Sequence, residues 1–158
     1  MTQLPTRGTA SAVTHRPGST WSQVDLGEVF DFEAISVIGD LDPSGADRFL
    51  EEVLSMFLDS LEPMLLAVER QRAAGSVAGI RFEAHKLKSS ASQVGALRLS
   101  AACAEIMKRF GAEGPANADD KKRSEPLGAE LDLLVDNLIS ETVRVQRKLR
   151  RLLAQPAN

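Results

Sequence analysis

Residues 77–94 read Val77-Ala78-Gly79-Ile80-Arg81-Phe82-Glu83-Ala84-His85-Lys86-Leu87-Lys88-Ser89-Ser90-Ala91-Ser92-Gln93-Val94, with Gly75 and Ser76 before them and Gly95 after. Val77, Ile80, Ala84, Leu87, Ala91 and Val94 recur at alternating three- and four-residue steps. That is the period of a helix with one buried face. The spacing predicts a helix over Val77–Gln93, with Gly75 and Ser76 as stop and cap for the elements that meet there.

The same period extends outward in both directions. Upstream, Phe49, Val53, Phe57, Leu61, Leu65 and Val68 form a stripe flanked by Met56 and Met64. They predict a helix over 46–73 that is kinked but not broken at Pro63. A shorter helical segment is expected over 26–38, carrying Leu26, Val29, Phe30, Ile35 and Ile38, followed by a turn over 39–45. Downstream, Leu97, Ala101, Ala104 and Met107 predict a helix over 96–110. Residues 111–125 read as a loop, with Gly114-Pro115 and the polar run Asp119-Asp120-Lys121-Lys122-Arg123. A last helix over 126–153 carries Leu127, Leu131, Leu134, Leu138, Thr142, Val145, Leu149 and Leu152, and would be about 40 Å long. No alternating strand pattern and no internal repeat is present. The expected fold is all-α: an antiparallel four-helix bundle with an additional short N-terminal helix.

Composition narrows the chemistry. The chain has 158 residues, 43% hydrophobic and 26% charged, with a net charge of −3. One domain is expected over 25–155, preceded by a disordered tail over 1–24. That tail is rich in Ser and Thr and free of acids, a composition shared with organelle transit peptides, but it has no apolar signal core. No stretch is long and apolar enough for a membrane span, and a cytoplasmic location is expected. The charge balance argues against general nucleic-acid binding. One cysteine, Cys103, excludes an internal disulfide framework, and two histidines, His15 and His85, leave few metal ligands. His15 falls in the tail. Charge is segregated: residues 25–75 hold twelve acids and three bases, whereas 76–110 hold two acids and six bases. The basic end of the last helix, Arg144, Arg147, Lys148, Arg150 and Arg151, is expected to complement the helix dipole.

On a helical wheel His85 points away from the apolar stripe. Arg81, Phe82, Lys88, Ser89 and Ser92 fall within about 60° of it, and Ala78 within about 20°. An exposed, neutral imidazole has a reference pKa of about 6.5 and is a competent nucleophile near pH 7. A lysine one turn away can neutralise the oxygens of a phosphoryl group, and small neighbours leave room for a second protein. No acid on this face would orient the imidazole for hydrolytic work, and no second metal ligand accompanies it.

The run Ala84-His85-Lys86-Leu87-Lys88-Ser89-Ser90-Ala91-Ser92-Gln93-Val94-Gly95-Ala96 resembles the signature of histidine-containing phosphotransfer (HPt) domains. The likeness continues through Leu99 and Cys103, and upstream through Phe57-Leu58-Asp59-Ser60-Leu61-Glu62-Pro63, covering roughly residues 28–152. It implies that His85 is the phosphoryl acceptor and Lys88 its stabilising partner, with Arg81, Ser89, Ser90, Ser92 and Gly95 in support. On the wheel Ser90 sits at the core edge, so a local helix-packing hydrogen bond is expected of it. Gly95 matches the glycine that ends this helix, consistent with a left-handed cap. Two positions depart from the family pattern. Ser89 replaces the usual glycine, so its hydroxyl could reach the imidazole or the phosphate. Met107 stands where some members have a glutamine.

The resemblance also implies the partners: response-regulator receiver domains and a sensor or hybrid histidine kinase. It implies no cofactor of the chain's own, with Mg²⁺ held by the receiver. Phe82, Ile35, Ile38 and Phe49 are the candidate docking residues. The expected role is a phosphorelay intermediate between receiver aspartates, a phosphocarrier and not a kinase, since no glycine-rich phosphate loop is present. The alternative is a helical scaffold that binds receivers without carrying phosphate. An enzyme that dephosphorylates receivers would need a group to activate water, and none is evident.

Overall fold

The computed structural model describes residues 21–45, 48–111 and 124–155, with side chains from 128 in the last of these segments. The described residues form helices and no strand: α1 (Gln23–Leu26), α2 (Phe32–Gly39), α3 (Phe49–Ala73), α4 (Val77–Gln93), α5 (Leu97–Arg109) and α6 (Ser124–Ala154). Each of α3, α4 and α5 packs on the next, and α6 packs on both α5 and α3, which closes a four-helix bundle. Short α2 lies on α3, and α1 lies on α6.

Local chemistry explains where the helices begin and end. Ser22 and Asp25 form a reciprocal capping box at α1. The Asp31 carboxylate accepts from the Ala34 amide, and the Ser76 hydroxyl accepts from the Gly79 amide, capping α2 and α4. α4 ends at Gly95, with φ +74°. There the Ala96 amide donates to the Ala91 carbonyl and the Gly95 amide to the Ser92 carbonyl, the paired bonds of a left-handed helix stop. Gly95 is glycine for a second reason. A Cβ there would lie 2.7 Å from the Ala34 Cβ and 3.1 Å from the Asp31 carbonyl oxygen. The Asp31 amide donates to the Gly95 carbonyl at 2.8 Å, fastening the start of α2 to this turn.

Several expectations are corrected. The segment over 26–38 is two helices, α1 and α2, meeting at Gly27 and the turn that follows. Trp21 is 3% exposed in the core and Gln23–Leu26 is helical, so residues 21–24 are not part of a disordered tail. An indole gains more by burial than its few flanking polar residues lose. α3 begins at Phe49 and runs unbroken through Pro63. Phe57, Leu61 and Val68 of the expected stripe are buried and are joined by Leu50 and Leu54, while Val53 and Leu65 are only half-buried. In α5 the buried apolar side chains are Leu99, Ala102, Cys103 and Ile106, not Leu97, Ala101 and Ala104. The α6 stripe holds through Leu138, Val145, Leu149 and Leu152, joined by Val135. Buried Thr142 satisfies its hydroxyl on the Leu138 carbonyl. Of the loop expected over 111–125, residues 112–123 lie outside the described residues and Ser124 and Glu125 belong to α6; the Leu127 side chain and His15 also lie outside the described residues.

Candidate functional site

α4 packs its buried face, Ile80, Ala84, Leu87 and Ala91, against the core, which turns His85 outward at mid-helix. His85, Ser89 and Ala78 are exposed, Phe82 is 63% exposed, and Arg81 and Lys88 are half-buried. Arg81 lies one turn before the imidazole and Lys88 one turn after it, each within the roughly 5–6 Å Cβ spacing of helical neighbours.

The lysines divide the work. Lys86 Nζ lies 2.6 Å from Glu83 Oε2 and 5.0 Å from the centroid of the Phe82 ring. Glu83 is only 7% exposed, so this ion pair balances a carboxylate that the bundle has nearly buried. The charge of Lys86 is therefore committed to Glu83 and Phe82. Among the described residues, Arg81 and Lys88 form no ion pair, which leaves their charges available to an incoming anion. The Glu83–Lys86–Phe82 arrangement is not among the features expected from the sequence. Its signal was there: i,i+3 spacing for the ion pair and i,i+4 spacing for the ring.

Burial pushes the Cys103 thiol up to about 12, and the positive charge of Lys88 is among the smaller influences opposing that rise. Ser92 and Ser100 join α4 to α5 through a 2.7 Å hydroxyl pair. His85 lies seven residues before Ser92 and Met107 seven after Ser100, so antiparallel pairing brings Met107 to the level of His85. Met107 is half-buried against the core. The bundle offers a thioether there, not a polar group.

The serines act on the backbone. The Ser89 hydroxyl donates to the His85 carbonyl and the Ser90 hydroxyl to the Lys86 carbonyl, both at 3.2 Å. The Ser89 hydroxyl is thus directed to the main chain and not to the imidazole. Ser90 makes the local bond its wheel position predicts.

The four candidate docking residues separate. Ile35 is fully buried in the core and presents no surface, because α2 turns it onto the bundle. Ile38 is half-buried against the same core. Phe49 is 37% exposed. However, the approach of Gly79 to the Gln71 side chain sets Leu65 level with His85, so Phe49 lies about 24 Å away along α3. Phe82 alone is exposed beside His85. Val37 and Leu41, passed over in the sequence, are the exposed apolar residues of the α2 region.

Among the described residues, no group of three or more His, Cys, Asp or Glu is placed to hold a metal ion. No described helix is long and apolar enough to cross a membrane.

Among the described residues, the helices form a bundle that exposes a single histidine, flanked by two cations that form no ion pair. The Hpt domain family model matches residues 52–141. The chain belongs to the Hpt domain family. Members of that family are phosphocarriers and not kinases, and they interact with receiver domains and kinases in phosphorelays. Membership gives the chain a phosphotransfer role in two-component signalling. Histidine-containing phosphotransfer protein B (HptB) from Pseudomonas aeruginosa PAO1 has a similar fold, with a TM-score of 0.61 and 16% identity, over 80% of this chain and 96% of that one. No curated protein sequence matches the chain.

Proposed function

We propose that His85 accepts a phosphoryl group from the aspartyl phosphate of one response-regulator receiver and passes it to the aspartate of another. The observation that carries this reading is the exposed mid-helix imidazole between two half-buried, unpaired cations, Arg81 and Lys88. The lone pair of the ring nitrogen farther from the backbone forms the N–P bond. The P–O bond to the receiver aspartate breaks, and its electrons leave with the carboxylate. Attack by a second aspartate reverses the chemistry and returns the imidazole. Lys88 stabilises the equatorial oxygens, whose charge is shared through the transfer. The receiver brings the Mg²⁺, and positioning does the rest. Phe82 supplies apolar contact beside the imidazole. A cytoplasmic site of action fits partners of this kind, and the upstream donor of the relay is a sensor or hybrid histidine kinase.

The test is incubation with a phosphorylated receiver, followed by assay for acid-labile, alkali-stable phosphate on the chain. Uptake is expected in the native protein and none in His85→Gln. Lys88→Ala should slow uptake by about tenfold while leaving receiver binding intact. Receiver binding without any label would overturn the relay in favour of a scaffold. Persistent label in His85→Gln would move the site elsewhere.

A further inference from the structure

Four cations converge where the second half of α6 meets the turn between α1 and α2. Arg144, Arg147, Lys148 and Arg151 line an open cleft of about 630 Å³ together with Ser140, Val29 and Val143. Gly27, with φ +61°, lies close by: an added Cβ there would be 3.6 Å from Lys148 Nζ.

The helix dipole does not account for this cluster. Its influence is confined to the last turn, and of these residues only Arg151 lies in the last turn of α6. Arg144, Arg147 and Lys148 are farther back, which corrects the expectation drawn from the basic end of the sequence. Nor are the charges balanced internally. Arg144 approaches Glu28 at 3.7 Å and Glu141 at 4.0 Å. Among the described residues, Arg147, Lys148 and Arg151 have no ion pair. Arg144 and Lys148, Arg147 and Arg151, and Lys148 and Arg151 are like-charge neighbours at i,i+3 or i,i+4 spacing, which destabilises a helix. An anion between them would turn that repulsion into attraction.

We propose that this cleft binds a compact ligand carrying two or more phosphate groups on an apolar or planar body, a nucleoside diphosphate being the simplest example. Arg144 to Arg151 span about 10 Å along the helix, short enough for their long side chains to converge on one diphosphate. Arginine forks match phosphate oxygens, and their planes stack on rings. Val29 and Val143 give the body of the ligand an apolar wall, and the cleft volume is that of a small-molecule site. Charge elsewhere disfavours a long polyanion. The chain is net −3, with its acids concentrated in the first half of the bundle, so an extended nucleic acid or acidic protein surface meets repulsion beyond the cleft.

The cleft is separate from the His85 face. Arg109 pairs with Glu130 and Arg98 with Glu141. Those pairs set α6 against α5, whereas His85 stands on α4, which packs mainly on α3 and α5, and no residue of α4 lines the cleft.

Calorimetric titration of the full chain with ADP and with inorganic pyrophosphate tests the proposal. Both should bind, ADP more tightly, and affinity should fall as salt rises. The Arg147→Gln/Lys148→Gln variant should bind ADP at least about tenfold more weakly, with an unchanged melting temperature or a higher one. His85→Gln should bind ADP like the native chain, which keeps this test independent of phosphotransfer. No heat with either ligand, or binding that the double variant leaves unchanged, would overturn the proposal. So would a glutamate-rich peptide that binds through these residues when ADP does not.

Discussion

Replacing Gly95 with alanine, beside the same replacement at Gly75, separates backbone strain from packing. Both glycines hold left-handed backbone, φ +74° at Gly95 and +64° at Gly75. Both stop a helix with the same pair of bonds, since the Ser76 amide donates to the Gln71 carbonyl and the Gly75 amide to the Arg72 carbonyl. The conformational cost of alanine in this region is about 1 kcal/mol and applies equally to each. The surroundings differ. A Cβ at Gly75 meets nothing within 4 Å, whereas one at Gly95 meets the Ala34 Cβ at 2.7 Å. That separation is well inside contact distance, so α2 must move away. Its movement strains or breaks the 2.8 Å bond from the Asp31 amide to the Gly95 carbonyl, worth about 1 kcal/mol. Overpacking adds about 1 kcal/mol or more. Gly95→Ala should therefore cost about 3 kcal/mol against about 1 kcal/mol for Gly75→Ala. At about 3–5 °C per kcal/mol for a domain of this size, the melting temperatures of the two variants should differ by about 6–10 °C. Circular dichroism melts and urea titrations with matched slopes provide the measurement. Equal losses would refute the close approach of α2 to this turn.

Other consequences follow from the same geometry. The buried Cys103 thiol, raised from 9.0 to about 12, keeps its proton in the folded chain after the unfolded chain has lost it. Stability should fall as pH rises above about 9, by about 1.4 kcal/mol per unit through this group alone. Cys103→Ala should flatten that part of the curve, and an identical slope would refute the assignment. Arg72 bridges α3 to α6 through Asp132 at 3.0 Å and Asp136 at 2.8 Å. Exposure and screening limit such contacts, so Arg72→Ala should cost no more than about 1 kcal/mol, with a smaller cost in high salt. Because the Ser89 hydroxyl donates to the His85 carbonyl, Ser89→Ala should leave the rate of phosphoryl uptake unchanged. A rate loss of tenfold or more in receiver assays would mean that the hydroxyl serves the imidazole or the phosphate.

The sequence by itself determined the helical character of the chain, the bounds of α4, the outward direction of His85 and the cations around it. These are local properties. A 3.6-residue period and a single polar face on α4 leave one way for that helix to lie. The tertiary structure decided what local pattern leaves ambiguous. α5 carries two stripes of helical period, and only packing on α4 and α6 selects Leu99, Cys103 and Ile106 over Leu97, Ala101 and Ala104. Ile35 passes from candidate surface to core because α2 folds back onto the bundle, and Trp21, expected in the tail, is buried in the core. The cleft beside Arg147 and Lys148 depends on the α1–α2 turn meeting α6, more than a hundred residues away in sequence. A basic run becomes a cleft only when another part of the chain supplies its wall. Sequence period records which residues share a face, but the choice between competing faces is made by the neighbours that remove one of them from water.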